Sequence, residues 1–329
     1  VKLSICIVNY NSGKLLKQCL ASIKRFPPNS DYEIIVVDNN STDGFQSDTL
    51  ALECGNIIQN DWNAGFAGGN NQAFQVAKGE YLLLLNPDTE VYEGALDALV
   101  ACADARPGAG LISARLINTD GTTQVGFNIR RLPGLLTAFN QLLMVDEIWP
   151  GNPMTRRYMG LDLDYDKLQE VEQPAASALL YRRTTWEKVG GFDIQFSNWY
   201  NDMDLCKRVR DGGWEIIYCP TSHVMHYGGM GSSSRLLASA LVEMYRSQRL
   251  YYFKHFGPWG YKVDSALIVV GMFIRWMVLA ILPGRASSVN TRINHDCPDA
   301  LRQAFKGVLC DTLNTWTNLP AHFRSASKT

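Results

Sequence analysis

The chain has 329 residues, of which 46% are hydrophobic and 11% aromatic, with a net charge of −1. That much apolar material excludes a disordered or low-complexity chain and suffices for one large α/β domain with an appendage. The near-zero balance hides two opposed parts: from Tyr245 onward 11 Lys/Arg face 4 Asp/Glu, whereas the part before it has 20 against 28.

In chain order, 3–8 (LSICIV) reads as a strand, and 14–24 has helical spacing with Leu15, Leu16, Cys19, Leu20 and Ile23 on one side. The run 33–38 (EIIVVD) is continuously apolar, as a parallel strand covered on both faces must be. A short helix is expected over 46–53, a brief strand over 56–59, and a helix over 70–77 that stops at Lys78-Gly79. YLLLL at 81–85 is the most apolar strand. A helix over 93–105 ends before Pro107, and a strand covers 110–117. The stretch 126–172, interrupted by Pro133, Pro150 and Pro153, reads as an insertion over the site. A strand is expected at 175–182, a helix at 184–189 with Thr184 and Glu187 at capping-box spacing, a helix at 202–210, and a strand at 214–219 stopped by Pro220. A long helix over 234–255 leads into the basic tail. The strand–helix alternation predicts a doubly wound sheet with right-handed crossovers, whose ligands sit beyond the carboxyl ends of the strands.

The apolar run 266–282 is short for a membrane span, and Arg275 near its centre would cost roughly 2.5–3.5 kcal/mol there. It reads either as an interfacial helix or as a core-packed one. The 8 cysteines are scattered without a C-x-x-C pair, several inside apolar runs, the pattern of buried thiols in a reducing compartment. With no signal peptide ahead of the first strand, a cytoplasmic protein is expected, and the basic tail points to contact with the inner face of a membrane.

Two strands end on polar clusters. Asp38 ends EIIVVD and begins DNNSTD; its carboxylate can accept from a pyrimidine N3–H, or it can simply make a turn. Asn86-Pro87-Asp88 ends YLLLL, and a carboxylate at a strand end can hold Mg2+ or Mn2+ against a diphosphate. The stretch 63–71 (NAGFAGGNN) places glycines before a helix, either as a phosphate cradle or as a flexible lead-in, but it is neither a dinucleotide fingerprint nor a P-loop. Asp202 and Asp204 open a helix two residues apart, so one can cap it while the other serves as a base. His226 follows the last strand and is either a structural histidine or a metal ligand.

Taken together in this order, IVNYN, VVDNNSTDG, NAGFAGGNN, LLLNPD, SALLYRRTTWEKVGGFD, NDMDLCKRVRDGGW and P-x-x-x-x-x-H resemble the family 2 glycosyltransferases, rhamnosyltransferase-like subgroup, over residues 1–230. The resemblance implies a GT-A (Rossmann-like) α/β fold with a mostly parallel central sheet flanked by helices. It implies a transferase domain at 1–230, with a donor half at about 1–125 and an acceptor half at about 126–230, and a C-terminal helical region at 231–329. It assigns Asp38 to the base and Asn39 to the ribose, with Asn9, Asn63, Asn71 and Asn86 also in the donor site. Asp88 and His226 become the ligands of Mg2+ or Mn2+, and Asp202 the general base of an inverting transfer. The donor implied is dTDP-L-rhamnose, with UDP-hexoses next, and the acceptor a glycan or lipid-linked glycan of bacterial polysaccharide synthesis; no nucleic acid is expected. Asn86 stands where the family has the first Asp of D-x-D, and Asn201 stands where the subgroup has an acid, so position 201 cannot be a base. No Q-x-x-R-W helix of the processive members is present. A sugar-phosphate nucleotidyltransferase would need a glycine-rich basic loop after the first strand, where this chain has Asn9-Tyr10-Asn11-Ser12-Gly13. A non-catalytic glycan-binding descendant would not need Asp38, Asp88, Asp202 and His226 together.

Overall fold

The structure, a computed structural model, describes residues 1–44, 55–196, 199–228, 238–281 and 298–316. The helix expected over 46–53 lies outside the described residues. The chain groups into two compact units: Val1–Leu132, Met159–Ile194 and Asn201–Ser232 form the first, and Pro133–Tyr158, Gln195–Tyr200 and Ser233–Thr329 the second.

In the first unit, β1 (Leu3–Asn9), β2 (Tyr32–Asp38), β3 (Gly55–Gln59) and β4 (Tyr81–Leu85) run parallel in the order β3-β2-β1-β4. Their apolar runs are continuous because both faces are covered. Ile5, Ile7, Val36, Leu83 and Leu85 share a core with Leu16, Leu20 and Ile23 of α1 (Gly13–Arg25). On the other face Cys6, Ile35, Val37, Leu82 and Leu84 pack with Ala67, Ala73 and Phe74 of α2 (Gly65–Val76). Helix α2 begins five residues before its expected start, so Gly68 and Gly69 lie inside it. A Cβ on Gly69 would stand 2.8 Å from Val8 Cγ1, and this close approach of helix to β1 is what requires glycine there.

The rest of the sheet comprises β5 (Thr89–Val91), β6 (Ala109–Ile117), β8 (Gln169–Glu170), β10 (Ala178–Arg182) and β11 (Glu215–His226), while β7 (Ile129–Arg130) pairs separately with β9 (Gln173–Pro174). Helix α3 (Ala95–Ala105) covers the first core. Strand β10 lies antiparallel between β4 and β6, β11 is parallel to β6, and β5 and β8 are antiparallel to β11. Six strands thus point one way and β5, β8 and β10 the other, giving a mostly parallel sheet of nine among the described residues. Pro220 does not end β11. A register shift between Cys219 and His223 carries the strand past it to His226, a bulge absorbing the missing N–H.

The second unit holds α4 (Leu135–Leu142), α5 (Val145–Ile148) and α6 (Pro153–Tyr158). The first unit supplies α7 (Arg183–Val189) and α8 (Asn201–Asp211). The long helix of the second unit is α9 (Ala238–Ile281), broken at Gly257 (φ 70°) before Pro258, and α10 (Pro298–Trp316) follows. Residues 133–158, expected over the site as part of an insertion, therefore group with the C-terminal helices. Arg246 and Arg249 both pair with Asp311 of α10, at 2.6 Å and 2.5 Å.

Arg275 is buried and donates to the Leu142 and Gln141 carbonyls at the end of α4, at 2.5 Å and 2.7 Å, with Glu147 at 3.3 Å. It caps helix-end carbonyls, as a C-terminal arginine does. A Cβ on Gly271 would fall 2.3 Å from the Leu142 oxygen, so only glycine permits this approach. One face of 266–281 (Ile268, Met272, Arg275) is therefore packed, while Val270, Phe273, Trp276, Met277 and Ile281 are exposed. No described helix is long and apolar enough to cross a membrane.

Asp264 is fully buried and accepts from Gln248 Nε2 at 2.7 Å. Burial, opposed by that hydrogen bond and by Arg249, pushes its carboxyl up to about 7. The folded state therefore binds the proton more tightly than the unfolded one, whose carboxyl stays near 3.8, and the associated stability is lost progressively as pH rises from about 4 to about 7. Asp264→Asn should accordingly raise stability at about pH 8 by up to roughly 4 kcal/mol and change little at about pH 4. Chemical denaturation at the two pH values checks this, and an equal effect at both would contradict it.

Candidate active site

Register aligns Asn9, Asp38 and Gln59 across the carboxyl ends of β1, β2 and β3. Asp38 Oδ1 accepts from Asn9 Nδ2 at 2.7 Å and Ser41 Oγ at 2.6 Å, and its Oδ2 from Gln59 Nε2 at 2.7 Å and the Ser41 N–H at 3.1 Å. Burial alone would raise the Asp38 pKa, but the hydrogen bonds from Ser41, Gln59 and Asn9 outweigh it and hold the carboxyl below its usual range. All four of its acceptor positions are taken, so a ligand N–H reaches Asp38 only by displacing one of these donors. Asn9 Oδ1, beside it, is buried without a partner among the described residues.

Asn39 is buried, donates to the Gly65 carbonyl at 3.1 Å and accepts from Asn60 Nδ2 at 2.9 Å; Asn60 in turn exchanges hydrogen bonds with Gln72. Asn63 is exposed, and its Oδ1 accepts from the Gly65 N–H at 2.8 Å at the start of α2. Asn71 lies elsewhere: its amide clamps the Phe192 backbone at both N–H and C=O, each at 2.8 Å. A Cβ on Gly191 would collide with Asn71 Oδ1 at 2.2 Å, so these loops are fitted to each other.

Asp88 and His226 meet because β5, which follows Asp88, pairs with the end of β11 through His226↔Thr89, and the Tyr227 N–H donates to the Asp88 carbonyl at 3.0 Å. Their side chains approach to 3.6 Å between His226 Nε2 and Asp88 Oδ1. Burial lowers the His226 pKa, with Asp88 opposing. Ser177 Oγ lies 3.4 Å from His226 Nε2 and accepts from Asn86 Nδ2 at 3.2 Å. Phe127 stacks on the imidazole with ring centres 5.1 Å apart. Beside this pair is a cleft of about 320 Å³ lined by Asn118, Thr123, Gln124, Val125, Phe127 and His226.

A carboxylate oxygen and a neutral imidazole at this separation fit neighbouring positions in the shell of Mg2+ or Mn2+, where ligand atoms stand about 3 Å apart. Among the described residues no group of three or more His, Cys, Asp and Glu could hold a metal by itself. The pair thus fits a cation whose remaining ligands are substrate oxygens and water.

Asp202 opens α8, accepting from Gln173 Nε2 and from the Met203 N–H, both at 2.9 Å. Burial raises its pKa, only partly offset by Arg130 and backbone hydrogen bonds. Tyr200, at φ 67°, turns the chain into this helix in a conformation bulky residues rarely adopt. Asp204 is fully buried and pairs with Arg208 at 2.8 Å, whose guanidinium also donates to the Val189 and Gly191 carbonyls.

Ser41, Gln59, Gln124, Gln173 and Ser177 all touch site residues, and sequence reasoning passed over them. Gln59 was legible in hindsight as a polar residue ending a parallel strand, like Asp38. Gln124 and Gln173 lay in the irregular stretch after 117 and carried no periodic signal.

The profile "Glycosyl transferase family 2" matches residues 4–161. The chain is 27% identical over 274 residues to the N-acetylglucosaminyl-diphospho-decaprenol L-rhamnosyltransferase of Mycobacterium tuberculosis (strain H37Rv), covering 78% of this chain and 86% of that one. It is 25% identical over 236 residues to rhamnosyltransferase WbbL of Escherichia coli (strain K12), covering 68% and 82%. A solved structure of GalNAc-T7 with UDP, GalNAc and Mn2+ superposes with a TM-score of 0.53 at 17% identity, over 77% of this chain and 50% of that one. This last likeness shows the fold.

Proposed function

Since the chain is a family 2 glycosyltransferase using a nucleotide-sugar donor, we propose that it transfers L-rhamnose from dTDP-L-rhamnose, with inversion, to a hydroxyl of a lipid-linked glycan. The observation that carries the reading is that the Asn9–Asp38–Gln59 row, the Asp88–His226 pair and Asp202 lie at strand ends and a helix start of one unit. The Asn9–Asp38–Gln59 row takes the base, Asn39 borders the ribose, and Asp88 faces His226. Asp202 stands at a helix start with a raised pKa. Asp88 and His226 would hold Mg2+ or Mn2+, which would supply neutralisation of charge on the diphosphate. Asp202 removes the proton from the acceptor hydroxyl, whose oxygen attacks the anomeric carbon as the nucleoside diphosphate departs from the opposite face. Asn63 and Asn71 act at one remove in the donor half (about 1–125), by fixing the start of α2 and the 192 loop. Asn86 acts through Ser177. The acceptor is bound by residues of the half at about 126–230.

The sugar rests on the two rhamnosyltransferases to which the chain is similar. A thermal-shift panel of dTDP-L-rhamnose, UDP-glucose and UDP-GlcNAc, with and without Mn2+, tests it. A donor at a hundred times its dissociation constant adds about 2.7 kcal/mol to the native state. Stabilisation by a UDP-sugar and not by dTDP-L-rhamnose would overturn the choice of donor.

A lipid-linked acceptor calls for a bilayer contact, and the exposed stripe Val270, Phe273, Trp276, Met277 and Ile281 of the second unit supports one at the inner face of the cytoplasmic membrane. The segment 265–281 contains no Asp or Glu. Arg246, Arg249 and Arg275 are paired with acidic groups within the unit. Phe273→Ser with Trp276→Ser should weaken co-sedimentation with anionic vesicles at least ~10-fold, each ring contributing about 1.5–3 kcal/mol. Unchanged sedimentation of the folded variant would remove this face from the membrane.

A further inference from the structure

The His226 ring is held from its far side by one side chain. Gln124 Nε2 donates to the His226 backbone carbonyl at 2.7 Å, and Gln124 Oε1 lies 3.0 Å from His226 Nδ1. The chemistry of these contacts fixes where the protons are. A backbone carbonyl only accepts, so the amide nitrogen of Gln124 must face it. The amide oxygen is thereby turned to Nδ1, and because that oxygen also only accepts, Nδ1 must carry the ring proton. In the neutral imidazole Nε2 is then a bare lone pair, and Nε2 is the atom 3.6 Å from Asp88 Oδ1.

We propose that Gln124 is a positioning residue that locks His226 as the Nδ1–H tautomer, with its Nε2 lone pair turned to Asp88. The lock is bidentate, gripping backbone and ring of the same residue, so it fixes tautomer and ring rotation together. Gln124 itself is carried on a short hairpin: its N–H donates to the Leu116 carbonyl at 2.9 Å, and Ile117 bridges Thr123. Phe127, three residues on, closes the face of the ring. The consequence rests on the metal role proposed above: a carboxylate oxygen and an imidazole lone pair are presented to a divalent cation without reorganisation. An imidazole of the opposite tautomer would present an N–H there instead, which cannot ligate.

Nitrogen-15 NMR of the metal-free protein, with the His226 signals assigned by their loss in His226→Gln, reads the tautomer directly. The expected result is a single Nδ1–H form in the wild type and a mixture with the Nε2–H form in Gln124→Leu. Mn2+ affinity measured by electron paramagnetic resonance in the presence of dTDP should fall about 10–100-fold in Gln124→Leu. Gln124→Glu gives up the donor to the His226 carbonyl but keeps an acceptor on Nδ1 and should retain the tautomer. An Nε2–H tautomer in the wild type overturns the proposal. So does an unaltered tautomer in folded Gln124→Leu. Should Gln124→Leu not fold, the wild-type spectrum and Gln124→Glu decide. Because the tautomer is read without metal, absence of Mn2+ binding in the wild type would defeat the metal role and leave the tautomer measurement to judge Gln124.

Discussion

If Asp202 is the base proposed above, Asp202→Asn should lower turnover by ~10²–10⁴-fold while donor affinity stays near wild type, because a positioned base contributes that much and an amide cannot take the proton. The substitution is sterically mild. The Met203 N–H keeps an acceptor, and Gln173 can turn its Oε1, which lacks a partner among the described residues, toward the new amide. Burial raises the Asp202 pKa, and a base works only when ionised. The acid limb of wild-type turnover should therefore lie above the ordinary carboxyl range, with activity lost as pH falls through it, and should vanish in the variant. Asp204→Asn is the control. Asp204 is fully buried against Arg208, and breaking a buried pair costs about 3–5 kcal/mol. Its effect should appear in a denaturation curve and leave the pH profile of the remaining activity in place. If folded Asp204→Asn loses turnover and Asp202→Asn keeps it, the roles of the two acids are exchanged.

The strands were legible wherever burial on both faces leaves an unbroken apolar run: β1, β2 and β4 fall within a residue of their expected spans. The same fact singles out Asp38 and Asp88 as candidates, since in such sheets ligands sit beyond the carboxyl ends of the strands, although an Asp there can equally make a turn. Pattern misled where a rule about one residue was allowed to end an element. Pro220 predicts a stop, yet a bulge passes it, and the six further residues of β11 are what bring His226 to Asp88. The glycines at 65–69 were read as preceding a helix, yet Gly69 is inside α2 because Val8 leaves no room for a Cβ.

What stayed illegible were partners distant in sequence. Nothing in the local sequence of Gln124 marks it as the residue that grips His226, 102 positions away. Arg275 looked like a charge stranded in an apolar helix. Its partners are helix-end carbonyls at Gln141 and Leu142, which have no sequence signature. The apolar stripe on the same helix was visible, but only the structure separates its packed face (Ile268, Met272) from its exposed one (Phe273, Trp276).

Asp88→Ala removes Mn2+-dependent binding of dTDP. On the proposed metal role, a cation shared with the diphosphate would then have one protein ligand in place of two, and a ligand interaction of several kcal/mol corresponds to at least ~10²-fold in affinity. Folding should survive, since the tie between β5 and β11 at this point runs through the Asp88 backbone carbonyl and the Tyr227 N–H, which alanine retains. Titration calorimetry of dTDP with Mn2+ and with EDTA separates the two parts of binding. The wild type should lose affinity on chelation, whereas Asp88→Ala should show the same weak binding in both. What remains would measure metal-independent binding, which the proposed function gives to the Asn9–Asp38–Gln59 row, so Asp88→Ala and chelated wild type should agree within about twofold. Undiminished Mn2+ dependence in Asp88→Ala would take Asp88 out of the metal site, and His226 with it, because Asp88 is the carboxylate facing its Nε2.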